Sequence, residues 1–268
     1  MIIGRKEFDV DNRCYIMGIL NVTPDSFSDG GKWNSPDAAL KHAEHMIDEG
    51  ADILDIGGES SRPGHESISI QEEIDRTIHI IEEIKSRIDI PLSIDTCKSA
   101  VAKAAISAGA DLVNDIWGLK HDPEMAEVIA QSALPCCLMH NRADMDYNDF
   151  IPDFLDDLRQ SVSLAEKAGI EPNKIILDPG VGFAKTHEMN LEVINKIDIL
   201  KKLGYPVLLG VSRKRVIGTT LDLPVGERVE GSVSAAIVGM IRGCAFVRVH
   251  DVKETFRAIK MAEAIIKA

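Results

Sequence analysis

The stretch LGVSRKRVI, residues 209–217, opens as a short apolar run and breaks into Ser212, Arg213, Lys214 and Arg215. Apolar on both faces, the run reads as a strand buried between two layers. Three cations beside such a strand, in a 268-residue chain of net charge −13, point to a pocket built for an anion. Other apolar runs end in the same way. Residues 14–20 stop at Asn21, 53–56 at Gly57 and Gly58, 91–94 at Asp95, and 112–113 at Asn114. Residues 134–139 stop at His140, 175–177 at Asp178, 207–211 ahead of Lys214, and 246–249 at His250 and Asp251.

Between these eight runs lie helical stretches. Ser35 is placed to cap a helix that carries Pro36 and Asp37 in its first turn and closes at Gly50. Ser69 and Glu72 have the spacing of a capping box, and Ile74, Ile78, Ile81 and Ile84 form the inward stripe of the helix that follows. Further helices are expected over 98–108, 123–131, 154–168, 188–203, much of 226–242, and from about residue 252 to the end. Eight strand–helix units with near-continuous apolar strands predict a parallel (β/α)8 TIM barrel. It is read as one domain spanning residues 1–268, preceded by a short N-terminal strand or hairpin over 2–8. A doubly wound open sheet would carry a Gly-rich phosphate turn after its first strand, and NVTPDSFSDGG at 21–31 is not one.

Composition narrows the function classes. A 45% hydrophobic, 27% charged chain is ordinary for a soluble globular protein. Its acidic balance speaks against a general nucleic-acid or anionic-membrane surface, since the long-range field repels both. Five cysteines without a C-x-x-C pair argue against a disulfide framework or a zinc site and favour the reducing cytoplasm. No apolar run approaches a membrane span, and residues 1–10 lack a signal-peptide core. His42 and His45 lie on a helix without a carboxylate at zinc-ligand spacing and read as surface residues.

In a barrel the C-terminal strand ends meet at one mouth, where catalytic residues gather. One polar residue after a strand often only begins a turn. Eight strands that all end in hydrogen-bonding groups describe a site. Asn21, Ser61, Arg248 and His250 supply neutral or positive donors that suit a phosphate or diphosphate, with glycine-rich backbone beside them. Asn21 can also offer its amide oxygen to Mg²⁺, a hard cation often shared with phosphate oxygens. Asp95, Asn114 and Asp178 form an acceptor-rich group that suits a heterocycle bearing amide and amino N–H donors. Lys214 admits two readings, a Schiff-base lysine or a hydrogen-bonding cation; its place in a polar turn favours the second.

The motifs NVTPDSFSDGG, GGESSRPG, SIDT, NDIWG, LDPGVGF, SRK and RVHDV, in this order, closely resemble those of the dihydropteroate synthase family of pterin-binding barrels. The resemblance runs from about Tyr15 to the final helix. It implies transfer of a 6-hydroxymethyl-7,8-dihydropterin group from its diphosphate to p-aminobenzoate, with Mg²⁺ as cofactor and a homodimer as the assembly. Asp95, Asn114, Asp178 and Lys214 then correspond to pterin contacts, and Asn21, Arg248 and His250 to diphosphate contacts, with Mg²⁺ on Asn21. Ser61 stands where the family usually has Thr and keeps the hydroxyl. Arg62, Pro63, Phe183 and Lys214 resemble the p-aminobenzoate wall, and Arg215 stands where many relatives carry Ser. Loss of pyrophosphate leaves a cation that the pterin ring delocalises, so an ionisation-first path is expected. The loops carrying Asp25 and Phe27, and Arg62, would exclude water from that cation. A methyltransferase of the same superfamily, moving a methyl group from a methyl-tetrahydropterin to a corrinoid protein, needs no diphosphate pocket. A pterin-binding protein without turnover is the third reading.

Overall fold

The computed structural model describes residues 1–22, 36–60 and 67–268. The expectations for Asp25, Phe27, Ser35, Ser61, Arg62 and Pro63 lie outside the described residues. At the N-terminus β1 (Ile2–Ile3) and β2 (Lys6–Glu7) pair antiparallel, so the expected hairpin is present. The chain then alternates strand and helix: β3 (Tyr15–Asn21), α1 (Pro36–Asp48), β4 (Ile53–Gly57), α2 (Ile70–Arg87), β5 (Leu92–Asp95), α3 (Ser99–Ala108) and β6 (Leu112–Asp115). It continues through α4 (Met125–Ser132), β7 (Cys136–Met139), α5 (Phe150–Ala168), β8 (Ile175–Asp178), α6 (His187–Asn195) and α7 (Ile197–Lys201). The last units are β9 (Leu208–Gly210), α8 (Arg215–Leu221), α9 (Val229–Ile241), β10 (Phe246–Val249) and α10 (Val252–Ile266).

Eight strands pair in parallel in the order β8, β7, β6, β5, β4, β3, β10, β9. A parallel bridge between Leu177 and Val207, with Leu177 N–H donating to Pro206 O at 2.9 Å, joins β8 to β9 and closes the ring. This is the (β/α)8 barrel that the eight apolar runs predict.

Several elements differ from the sequence reading. The helix expected over 154–168 begins a turn earlier, at Phe150, because Pro152 falls within the first turn, where its missing N–H costs nothing. The helix expected over 188–203 breaks at Lys196, whose φ of −107° and ψ of 26° leave the helical region. A separate α8 follows directly on Lys214, where only a polar turn was anticipated. On α2 Ser69 does accept from the Glu72 N–H, at 3.1 Å, but Glu72 pairs with Arg76 instead of returning to the cap. The buried face of α2 is also rotated. Glu73, Thr77, Ile80, Ile81 and Ile84 are buried, while Ile74 and Ile78 are only half-buried. The rotation follows from Glu73, which reaches Lys98 at 2.8 Å inside the structure.

Side chains alternate across each strand with period two. One set, including Ile16, Leu20, Leu54, Ile56, Ile94, Val113 and Leu138, packs outward against the helices. The other set points into the barrel. Its lower part is apolar: Tyr15, Met17, Ile53, Leu112, Ile176, Leu208 and Phe246, sealed from below by Ile3 and Phe8 of the hairpin segment. Phe8 meets Tyr15 edge-on at 4.8 Å between ring centroids, and Phe246 lies at 5.7 Å. Two residues further along β4, β6, β8 and β10 the inward positions turn polar, at Asp55, Asn114, Asp178 and Arg248.

Candidate active site

The register places Asn21 beside Gly57, Gly57 beside Asp95, and Asp95 beside Asn114, so four adjacent strands present these residues in one line. Period two then fixes which neighbours also face inward: Asp55 and Ser93 on β4 and β5, Asp178 on β8, Gly210 on β9 and Arg248 on β10. Asp55, Asp95, Asn114 and Asp178 are all buried. Such carboxylates persist only if something pairs with them.

Arg248 does so. Its Nε donates to Asp55 Oδ2 at 2.5 Å and an Nη to Asp95 Oδ2 at 2.7 Å, and Asn114 Nδ2 donates to Asp55 Oδ2 at 3.1 Å. Burial works against the charge of Arg248, but the two carboxylates hold its pKa above the ordinary arginine value. Burial likewise pushes the Asp95 carboxyl up, with Arg248 pulling it back down. Sequence reasoning assigned Arg248 to the diphosphate alone. The structure shows it bracing carboxylates inside the barrel, which leaves its remaining Nη protons for any further anion. Asp55 was missed altogether. Its signal was a lone charge inside an apolar strand, ILDI at 53–56.

On the opposite wall Asp178 accepts from the Gly180 N–H at 2.6 Å, and burial raises its pKa against the pull of Lys214. Gly180 has φ +64°, and a Cβ there would lie 2.0 Å from the carbonyl oxygen of His140, so only glycine fits this turn. Lys214 Nζ donates to Val181 O at 2.7 Å and stands 4.9 Å from the centroid of the Phe183 ring. Burial draws its ammonium down to about 8, with Asp178 opposing. A Cβ at Gly210 would sit 3.4 Å from Asp178 Oδ2 and 3.6 Å from Lys214 Nζ; glycine there keeps the space between them open. Engaged with a carbonyl, an aromatic face and a carboxylate field, Lys214 is arranged as a hydrogen-bonding cation.

Of the three cations in SRKR, only Lys214 turns into the mouth. Arg213 adopts φ +57° and grips Asp251 through Nε (3.0 Å) and Nη2 (2.5 Å), while its N–H donates to Ser232 Oγ at 2.9 Å. Arg215 is exposed at the start of α8. The Arg213–Asp251 grip joins the ends of β9 and β10. Beside it His250 donates its N–H to Ser212 Oγ at 3.2 Å and has Nδ1 3.1 Å from the same oxygen.

His140 is the strand-end residue that does not join the site. Met139 faces inward, so His140 faces the helices, fully buried, with Nε2 at 3.0 Å from Asp157 and Nδ1 at 2.7 Å from Lys185 Nζ. Burial lowers its pKa to about 4. A further missed group lies between the chain that follows β4 and the start of α2. Lys98 Nζ bonds to Glu59, to Glu73 Oε2 at 2.8 Å and to Ile68 O at 2.8 Å, tying the chain before residue 61 to the chain after 66. The lysine of SIDTCK, three residues past the end of its strand, was the available signal.

The donor set near Asn21 bears on a metal. Asn21 is half-buried at its strand end and supplies a single neutral oxygen, and among the described residues no group of three His, Cys, Asp or Glu side chains could hold an ion. One neutral ligand fits Mg²⁺, which keeps most of its waters and is shared with substrate phosphates; it does not fit a metal caged by protein.

Comparison with known proteins identifies the family. Residues 17–250 match the family described as pterin binding enzyme. The dihydropteroate synthase of Clostridium beijerinckii is 56% identical over 268 residues, covering all of both chains. A crystal structure of the dihydropteroate synthase of Clostridium difficile, obtained in the presence of pteroic acid, superposes with a TM-score of 0.94 at 48% identity, over 98% of this chain and 100% of that one. The enzyme of Xanthomonas albilineans, solved with 4-aminobenzoic acid, has a TM-score of 0.92 at 40% identity, over 96% and 94% of the two chains. Matched by its family over residues 17–250 and by a 56% identical relative over its whole length, this chain belongs to the dihydropteroate synthase family of pterin binding enzymes.

Proposed function

We propose that the chain condenses 6-hydroxymethyl-7,8-dihydropterin diphosphate with p-aminobenzoate, giving 7,8-dihydropteroate and pyrophosphate. The observation that carries this reading is the convergence of Asp95, Asn114, Asp178 and Lys214 on one barrel mouth, with Asn21 and His250 on neighbouring strand ends. Asp95, Asn114 and Asp178 accept the ring N–H groups of the pterin, and Lys214 donates to a ring acceptor. Arg248 and Lys214 pull Asp95 and Asp178 back toward ionisation against their burial, so acceptors of negative character face the ring as positive charge develops on it.

The bond from the pterin methylene to the diphosphate oxygen breaks first, and the leaving group takes the electron pair. Asn21, Ser61, His250 and the free edge of Arg248 neutralise the departing diphosphate. Mg²⁺ on Asn21, when bound, supplies further neutralisation of that leaving group. The aniline nitrogen, aligned by Phe183, Arg62 and Pro63, closes the new C–N bond and releases its proton to solvent. Asp25 and Arg62 belong to the two loops that would keep water from the cation. The reading extends to a homodimer in the cytoplasm, with the whole chain acting as one domain. Exposed Val238, Ile241, Met261 and Ile265 on α9 and α10 support assembly through the late helices. Five free cysteines support a reducing compartment. Among the described residues no helix is long and apolar enough to cross a membrane.

The deciding experiment supplies purified protein with both substrates, with and without Mg²⁺, and follows pyrophosphate. Release only when both substrates and Mg²⁺ are present is the expected result. Absence of pyrophosphate with folded protein would refute the reading, and methyl transfer to a corrinoid protein would install the methyltransferase in its place.

A further inference from the structure

The turn after β8 is held from beneath by a buried ammonium that the reaction does not use. Lys185 is 8% exposed, and its Nζ donates to His140 Nδ1 at 2.7 Å, to Gly180 O at 3.1 Å and to Phe183 O at 3.0 Å. Three protons meet three acceptors, so the group is saturated. The acceptor on His140 fixes the tautomer: Nδ1 carries the lone pair, and Nε2–H donates to Asp157 Oδ2. Asp157 is itself set by Arg142 Nε at 2.6 Å. The turn therefore hangs from α5 through Asp157, His140 and Lys185 in succession.

Other carbonyls of the same turn are taken as well. Lys214 takes Val181 O at 2.7 Å, and Tyr147 Oη donates to Ala184 O at 2.9 Å. Positive φ angles at Gly180, Gly182 and Ala184 curl the backbone around these donors. Burial pulls the Lys185 ammonium down to about 7, with Asp178 pulling the other way. An apolar side chain would fill that space at lower cost, since a buried charge loses its hydration. What the ammonium adds is position. It fixes the carbonyl of Phe183, whose ring lies under Lys214, and the residue before Val181, whose carbonyl Lys214 grips.

We propose that Lys185 is a positioning residue for the aromatic amine: by tying His140 to the carbonyls of Gly180 and Phe183 it sets the Phe183 ring and the Lys214 ammonium at the spacing that p-aminobenzoate requires. The pterin carboxylates sit on rigid strand ends and depend on it less. The proposal rests on the synthase reading and on Phe183 with Lys214 forming the aminobenzoate wall.

Steady-state pyrophosphate release, with each substrate varied in turn, tests it on three variants. Lys185→Met raises the KM for p-aminobenzoate about tenfold and that for the pterin diphosphate by less than about threefold. His140→Gln offers a donor toward Asp157 but no acceptor at the Nδ1 position, and it reproduces the split. His140→Asn places an amide oxygen near the Nδ1 position and returns the KM for p-aminobenzoate to within about threefold of the parent. Equal changes in both KM values, no change in either, or identical behaviour of the two His140 variants would overturn the proposal. If Lys185→Met shows no cooperative thermal transition, the His140 pair decides alone. Failure of the unmodified protein to release pyrophosphate sinks the synthase reading instead, and is read before any variant.

Discussion

The lower and upper halves of the barrel interior are built from the same strands with opposite chemistry. Below, Tyr15, Ile53, Leu112, Ile176 and Phe246 pack with Ile3 and Phe8 into an apolar plug. Above, two residues along, the inward positions are Asp55, Asn114, Asp178 and Arg248, held by a few short hydrogen bonds. The lower half gains stability with every apolar group it buries. The upper half gives some up, because charges taken out of water are at best partly repaid by their partners. The difference teaches that the plug supports the mouth: a barrel with acid and base packed inside one end needs a dry, closely packed other end.

Breaking the upper half has the largest expected effect. Arg248→Met strands Asp55 and Asp95 without their cation and should cost about 3–5 kcal/mol of unfolding free energy in a urea titration. Turnover of the folded fraction should fall about a thousandfold, since Asp95 then loses the cation that offsets its burial and no longer faces the pterin as a charge. Breaking the lower half should separate stability from chemistry. Phe8→Ala is expected to cost about 3–4 kcal/mol while kcat per folded molecule stays within about twofold of the parent. A large kcat loss in that variant would show that the two halves are not independent.

Acid should next set the layer behind the mouth, where His140 packs against α5, apart from the apolar plug. His140 is protonated near pH 4 in the folded protein and near pH 6.5 in the unfolded chain. Between those values the unfolded state binds more protons at this histidine, so the contribution of His140 to stability is full above about pH 6.5 and declines as pH falls toward 4. The loss is about 2–3 kcal/mol and is seen as the difference between the parent and His140→Asn across the window. The apolar plug has nothing to titrate there. The smallest expected effect is a gain. Ala133 ends α4 at φ +55° in an exposed position, where a Cβ is strained. Ala133→Gly should raise stability by about 0.5–1 kcal/mol without moving either KM.

How much of this could be read beforehand follows from what each signal depends on. The barrel was legible because eight buried strands need eight apolar runs, and each ends visibly at a polar residue. Asn21, Asp95, Asn114 and Asp178 were legible for the same reason. Asp55 was not, because a charge within a strand gains meaning only when Arg248 arrives from a strand 193 residues later. His140 was misplaced although parity could have placed it: with Met139 inward, the next side chain must face the helices. Lys185 followed a recognised motif but carried no local pattern, since its three partners are assembled by the turn itself. The seven-residue α8 was hidden behind a basic run, and the break at Lys196 has no sequence feature that we can name.

Arg248 sits on the last strand and reaches past β3 to grip β4 and β5, over separations of 193 and 153 residues. The mouth is thus a keystone arrangement, without its binding charges in order until the final stave is seated. A chain that stops short of β10, or a folding intermediate with that strand undocked, holds two buried acids facing each other and no working pocket. Onset of turnover during refolding should therefore coincide with closure of the ring, making catalysis a clock for the last event in assembly.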